Sequence, residues 1–374
     1  MSADRVRIGV LGIGGVAQIE HIPNLLRLTD RFDVRGAADP SPIARTFAET
    51  RHGLRTFADA GALFEQGLDA VVIASPDPLH AGHVTAAFAA GLHVFCEKPL
   101  CYAEADIRDL ITLRNATGLT LQTGYMKRFD PSYETLLRML PEQKGTLRQI
   151  LVEVTDPDAG PFIRHHDWQA GGDLPSAAGD ALRAAQAEQV ARAVPVALDQ
   201  TAYRGFCNAY ASSIVHDVNA VHGILEMLGI ADGRIVGAAI FAGGSGGQGA
   251  VSLNDGAALW SMSHLTVPGL PHYSERISLV FEGSSLELEF PSPWLNHQPT
   301  RLTERRGRGI GLETREIRTG YEEAFVEELK GFHRVITRGE PVRNTAEAAA
   351  RDMRLLAGLA TWHATHNRTG GKPT

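Results

Sequence analysis

The sequence predicts an α/β chain in which an N-terminal doubly wound parallel sheet is followed by an α+β part with a large, mostly antiparallel sheet. Three observations predict it. From residue 7 to about residue 123, short apolar runs alternate with helix-length segments, as a parallel sheet covered on both faces requires. The first of these runs ends in a glycine turn. Beyond about residue 146 the runs lengthen and alternate apolar with polar residues, the period-2 pattern of half-buried strands. The boundary follows from that change of texture: one domain spans residues 1–125 and a second spans 126–374, with the last helix expected to pack back on one of the two.

Five runs rich in Val, Ile and Leu, bounded by Gly, Pro or Asp, are the expected parallel strands: residues 7–11, 33–38, 69–74, 93–96 and 120–123. Ser41 before Pro42, and Asp77 before Pro78, each place a capping side chain ahead of a proline at the first helical position, where no N–H is needed. Gly91 closes the helix that Pro78 opens. In the second part the expected strands are residues 148–155, 234–241, 257–264, 275–281 and 285–290. Between the first two lie a loop of Asp, Gly and Pro residues (156–175), an alanine-rich helix (176–194) and a helix from about 213 to 228. Two terminal helices, 321–337 and 345–366, carry apolar residues at helical spacing.

Composition bounds the function. The chain has 374 residues, 44% of them apolar and 21% charged, so it can bury a sizeable core in two domains. A net charge of −7 argues against nucleic acid, whose phosphates call for a basic surface. Cys96, Cys101 and Cys207 are odd in number and lack metal-ligand spacing, which fits packing residues in a reducing compartment. With no signal-like N-terminus and no run of about 18 apolar residues, a cytoplasmic protein without membrane or metal partners is expected.

Gly12, Gly14 and Ala17 form a G-x-G-x-x-A pattern at the end of the first run, a turn through Ile13, Gly15 and Val16 in which the backbone can approach a pyrophosphate. The next helix would aim its N–H groups at that group. The second run ends in Asp39, placed to accept from a ribose diol and to repel a 2′-phosphate, which favours NAD over NADP. Arg45 nearby could soften that preference. The first domain is therefore expected to be a Rossmann domain.

The stretches Ala74-Ser75-Pro76-Asp77-Pro78-Leu79-His80, Gly91-Leu92-His93-Val94-Phe95-Cys96-Glu97-Lys98-Pro99-Leu100 and Gly124-Tyr125-Met126-Lys127-Arg128-Phe129-Asp130-Pro131 together resemble the Gfo/Idh/MocA family, the glucose-fructose oxidoreductase and inositol dehydrogenase relatives. The resemblance is close over about the first 140 residues and holds in outline beyond. It implies that Ser75, Pro76, His80, Glu97, Lys98 and Arg128 contact the cofactor and that Tyr125 lies near the substrate. Lys98, at the carboxyl end of a central strand, can donate to a substrate oxygen and stabilise a developing alkoxide.

Family members carry D-x-x-x-H at a helix start in the second domain, and here the pattern reads Ser212-Ser213-Ile214-Val215-His216-Asp217. The resemblance implies His216 as acid or base, with Ser212 where a carboxylate is usual; Asp217 could compensate for it, although consecutive helix positions diverge by about 100°. His165, His166, Asp167 and Trp168, with Asn208 and Tyr210, are further candidates for the substrate pocket. The implied activity is hydride transfer between NAD and a secondary alcohol of a sugar, cyclitol or glycoside, in a dimer or tetramer. Two rivals stay open: a redox-neutral enzyme that oxidises its substrate transiently, and a nucleotide-binding sensor without catalysis.

Overall fold

A computed structural model describes residues 5–143, 145–157 and 159–366. The chain divides into two compact units. The first gathers the described residues of Met1–Met126 with Arg164–Val190 and Phe325–Arg351. The second holds the described residues of Lys127–Ile163, Ala191–Ala324 and Asp352–Thr374.

In the first unit, β1 (Val6–Leu11), β2 (Phe32–Ala38), β3 (Thr56–Phe57), β4 (Ala70–Ile73), β5 (His93–Glu97) and β6 (Leu121–Gly124) form one sheet in the order β3-β2-β1-β4-β5-β6. Every pairing is parallel. All five expected strands are present; β3, two residues long, was too short to leave a pattern. Ile8, Val10, Val71, Val72 and Phe95 are fully buried, as strands covered on both faces must be. The strand order reverses between β1 and β4, and ligands of open α/β sheets bind at the carboxyl edge of such a switch point.

Helices α1 (Ile22–Arg27), α2 (Pro42–His52), α3 (Ala60–Phe64), α4 (His80–Ala89) and α5 (Glu104–Thr117) alternate with these strands. Ser41 caps α2 as expected, accepting from the Ala44 N–H at 3.1 Å, and Gly53 ends the helix in a left-handed conformation. Asp77 does not cap α4. Residues Asp77–Leu79 make a separate 3₁₀ turn, and the Asp77 carboxylate accepts from the Tyr102 hydroxyl at 2.9 Å instead.

The remaining helices are α6 (Pro131–Met139), α7 (Gly160–Ile163), α8 (Ser176–Ala193), α9 (Gln200–Arg204), α10 (Val215–Leu228), α11 (Ala324–Arg338) and α12 (Ala346–His366). A ten-residue π-helical segment, Gly205–Ile214, leads into α10. Val326, Leu329 and Phe332 of α11 join the core of the first sheet, where Phe332 meets Phe95 edge to face at 5.8 Å. Each side chain of this size stabilises the fold by about 1.5–3 kcal/mol when fully buried.

The second unit is built on β7 (Leu147–Asp156), β8 (Arg234–Ile240), β9 (Gly246–Leu253), β10 (Ala258–Thr266), β11 (Ser274–Phe281), β12 (Ser284–Phe290), β13 (Arg301–Arg308) and β14 (Gly311–Ile317). Their order is β14-β13-β12-β11-β7-β10-β9-β8, antiparallel except where β10 lies parallel to β7. Three strands escaped the sequence reading. β9 is glycine-rich because Tyr210 and Leu359 lie where Cβ atoms of Gly247 and Gly249 would be, and β13 and β14 are dominated by charge. The inner face carries Ile150, Val152, Trp260, Met262, Ile277 and Leu279, all buried. On the other face opposite charges pair across strands, Arg276 with Glu153 and Arg305 with Glu287, beside the exposed Leu259, Leu265 and Val280. Among the described residues no helix is long and apolar enough to cross a membrane.

Candidate functional site

The carboxyl edge of the first sheet begins with the turn after β1. Gly12 has φ of +97°, and a Cβ there would lie 2.5 Å from the Ala74 carbonyl oxygen and the Ser75 nitrogen, so the turn packs on the exit of β4 only as glycine. Side chains at Gly14 and Gly15 would meet nothing within 4 Å. That open cradle is what close approach by a pyrophosphate needs. The Ile13 N–H donates to Asp39 Oδ2 at 2.8 Å and the Ser41 N–H to Oδ1 at 2.8 Å. Asp39 is thereby fixed at the end of β2, and each carboxylate oxygen retains acceptor capacity for a diol.

The turn after β5 supplies the second group. Glu97 is buried, its Oε1 2.7 Å from His21 Nε2, and its Oε2 accepts from the Lys98 N–H at 3.2 Å. Burial pushes the Glu97 carboxyl up, but the His21 hydrogen bond and the neighbouring positive charges prevail and hold it below the usual range. Lys98 is half-buried and precedes a cis peptide bond to Pro99. His80 was read as a cofactor contact; its ring instead staples two turns, Nδ1 at 2.8 Å from the Pro99 oxygen and Nε2 at 2.8 Å from the Ser75 oxygen. Ser75 Oγ lies 2.8 Å from His83 Nδ1, and Tyr125 is buried with its carbonyl accepting from Asn344 Nδ2 at 2.8 Å.

Sequence reasoning missed His21, Glu328 and Asn344. Asn344 also donates to Glu328 Oε1 at 3.2 Å, and burial together with the Glu97 charge pushes the Glu328 carboxyl well up. The available signal was a polar residue at a core position of α11, one residue before Leu329. Residues 164–190 also belong to this unit. His165 is exposed and His166 half-buried, their rings 4.1 Å apart, while Asp167 pairs with Arg51 at 3.0 Å. The Gln169 N–H donates to Gln18 Oε1 at 2.8 Å, which ties this segment to the helical turn after the glycines.

In the second unit His216 is half-buried at the start of α10, and Ser212 is exposed in the preceding turn. Asp217 is turned away from a substrate role: it is fully buried and accepts from Lys127 Nζ at 2.7 Å. Lys127 also donates to Glu275, whose Oε2 accepts from the Tyr273 hydroxyl at 2.8 Å. Burial and the Glu275 charge push the Asp217 carboxyl well up against the pull of Lys127. Asn219, three residues on from His216 in α10, is buried and donates to Asp352 Oδ2 at 2.7 Å. His222 Nδ1 lies 2.6 Å from Asp352 Oδ1.

Two other assignments are revised by their hydrogen bonds. Arg128 donates through Nε and Nη2 to the Asn219 carbonyl at 3.1 and 2.9 Å and through Nη1 to Glu226 at 3.2 Å, which fastens it to α10. Gly223 permits this approach, since a Cβ there would lie 3.0 Å from Arg128 Cζ and 3.1 Å from its Nε. Tyr210 is fully buried and donates to the Gln248 carbonyl at 2.9 Å, so its phenol braces β9. Asn208 is exposed in the same π-helical segment.

A family model described as an oxidoreductase family with an NAD-binding Rossmann fold matches residues 6–125. An inositol 2-dehydrogenase from Acidothermus cellulolyticus is 37% identical over 137 residues, 36% of this chain and 40% of that protein. A putative UDP-kanosamine synthase oxidoreductase subunit from Amycolatopsis mediterranei is 32% identical over 173 residues, 45% of this chain and 48% of that protein. The chain thus spans less than half the length of these curated relatives. Among solved structures, a 3-ketoreductase from Actinomadura kijaniata in complex with NADP and TDP-benzene aligns at a TM-score of 0.72 and 20% identity, covering 96% of this chain and 98% of that one. Apo scyllo-inositol dehydrogenase from Lactobacillus casei aligns at 0.69 and 19%, covering 98% of each chain. At these identities the likeness establishes the fold.

Proposed function

We propose that this chain, whose residues 6–125 match the model of an oxidoreductase family with an NAD-binding Rossmann fold, is a Gfo/Idh/MocA-type NAD(P)-dependent dehydrogenase or reductase acting on a secondary alcohol or ketone of a sugar, cyclitol or related glycoside. The observation that carries the reading is the content of one sheet edge: the Gly12 turn, Asp39 and the Glu97-Lys98 turn all follow carboxyl ends of parallel strands beside the switch point. Bound there, a nicotinamide cofactor supplies two-electron exchange with the carbinol carbon.

The N–H groups of Gly14, Gly15 and Val16 and the turn after them would hold the pyrophosphate, Asp39, positioned by the Ile13 N–H, the ribose diol, and Ser75, Pro76 and Glu97 the remaining polar groups. The negative charge of Asp39 favours NAD over NADP. Lys98 donates to the substrate oxygen and stabilises charge that develops on it. His216 takes the hydroxyl proton and returns it in the opposite direction. With Asp217 held by Lys127, His216 works without a carboxylate from either 212 or 217. The exposed Leu259, Leu265 and Val280 suit a contact between copies, a dimer or tetramer that light scattering would measure.

The test mixes the purified protein with NAD and a panel of cyclitols, sugars and nucleotide sugars while absorbance of the reduced cofactor is followed. Lys98→Ala is expected to lower kcat/KM by about 10²–10³-fold and His216→Ala by about 10²–10⁴-fold, with thermal melting unchanged. Full turnover in Lys98→Ala would sink the assignment. Reduced cofactor accumulating in step with product separates this reaction from a redox-neutral one, and any turnover separates it from a sensor.

A further inference from the structure

Ligand discrimination in this fold is normally sought within the strand, turn and helix that hold the adenosine end. Here a group from far along the chain reaches that place. The first turn of α2 presents the parts of an anion site: the Ile43 N–H, the Ser41 hydroxyl and the Arg45 guanidinium, which donates to the carbonyls of Asp39 and Pro40 at 2.7 and 2.9 Å. The site already holds an anion. Asp173, 132 residues from Ser41, accepts from the Ser41 hydroxyl at 2.5 Å through Oδ1 and from the Ile43 N–H at 2.9 Å through Oδ2. Ser41 is 3% exposed, so the hydroxyl that meets Asp173 is itself part of the fold rather than a mobile surface group.

The segment that carries Asp173 is fastened along its length. Gln18 Nε2 donates to the Gln169 carbonyl at 2.9 Å, and Gly171 and Gly172 follow, the former close enough that a Cβ would lie 3.4 Å from Ser41 Oγ. Farther on, Gln186 donates to the Tyr102 hydroxyl oxygen at 2.7 Å and Gln189 to the Pro78 carbonyl at 2.9 Å. The strap therefore touches the helical turn after the glycines, the start of α2 and the turns that follow β4 and β5, all at the carboxyl edge of the sheet.

We propose that Asp173 is a cofactor-specificity residue: its carboxylate occupies the anion site at the start of α2, beside the diol acceptor Asp39, and so excludes the 2′-phosphate that distinguishes NADP from NAD. This rests on the cofactor reading above. The Ser41 and Ile43 hydrogen bonds hold the Asp173 carboxyl below the usual range, so it is ionised at neutral pH and repels a phosphate as well as filling its place. Once the carboxylate is gone, Ser41, Ile43 and Arg45 become donors for the phosphate.

Titration of the full chain with NAD⁺ and with NADP⁺, read by calorimetry, tests this without turnover. Asp173→Ala and the near-isosteric Asp173→Asn are expected to tighten NADP⁺ by about tenfold or more while NAD⁺ moves by less than about twofold. Asp180→Ala, which removes an equal charge that pairs with Arg183 on α8, is expected to leave both unchanged. Equal shifts for the two nucleotides, or an unmoved ratio, in a protein that binds NAD⁺ would overturn this inference alone. Failure of the native chain to bind either nucleotide would overturn the cofactor reading and the inference with it.

Discussion

At the carboxyl edge of the first sheet, the groups that matter are backbone N–H groups and side chains within a residue or two of a strand end; in the second unit, the polar centre joins Lys127 to carboxylates 90 and 148 residues away. The first arrangement is a property of local turns: Gly12 must be glycine because of one conformation and one neighbour, and Asp39 is positioned by two N–H groups. The second is a property of packing. Lys127, Asp217 and Glu275 lie almost wholly out of water, where an ammonium with two carboxylates persists only as a set. Burial lowers the affinity of Lys127 for its proton, yet the two carboxylates prevail and raise it. Edges of sheets thus expose donors to a ligand, and the interior consumes them in the fold.

The sharpest way to break this contrast is Lys127→Met, which leaves Asp217 and Glu275 buried together. A loss of about 3–5 kcal/mol in urea unfolding is expected; a loss below about 1 kcal/mol would show that the pair neutralises by protonation and that Lys127 is dispensable. Gly12→Ala forces a Cβ against backbone atoms at positive φ, which is expected to destabilise the chain by about 1–3 kcal/mol and to abolish NAD⁺ binding in the same calorimetric titration. Retained binding would mean that the turn is more plastic than its geometry implies.

A smaller effect comes from pH. His264 has both ring nitrogens buried without hydrogen-bond partners, and burial lowers its pKa to about 4. The unfolded chain protonates this histidine first, so its contribution to stability falls as pH drops from about 6.5 toward about 4. His264→Leu is expected to remove on the order of 1–2 kcal/mol of that acid loss. Asp156 works in the other direction: burial and the Glu275 charge raise its pKa to about 6, so its contribution is fully present below 3.8 and is lost as pH rises through 6. Stability curves of His264→Leu and Asp156→Asn should therefore diverge from the native curve with opposite slopes between pH 4 and 6. Parallel curves would refute the assignment. Smallest of all, Arg276→Ala removes a half-exposed pair with Glu153 and is expected to change stability by less than about 1 kcal/mol.

The parts of the candidate site that were legible in the sequence are those whose physics is local. A glycine pair, a strand ending in Asp39 and a Glu-Lys-Pro turn each carry their meaning within a few residues. Asp77 was misread because a capping signal competes with tertiary partners, and here the Tyr102 hydroxyl took the carboxylate. Arg128, Tyr210 and Asp217 look like ligand-contacting residues in the sequence, yet each is hydrogen-bonded within the second unit. Strands β9, β13 and β14 were missed because glycine and charge lower strand propensity, which neighbouring ladders override.

By itself, the sequence determined the alternation that makes a doubly wound sheet, the glycine turn that its first strand needs, and the change to period-2 strands beyond it. These follow from backbone sterics and from which side chains can face an apolar layer. Only the tertiary structure decided that His21 and Glu328 flank Glu97's surroundings, that Lys127 serves two carboxylates, and that Asp173 reaches the start of α2. Such partners meet across more than fifty residues of chain, and no short-range rule encodes a contact whose free energy comes from excluding water around it.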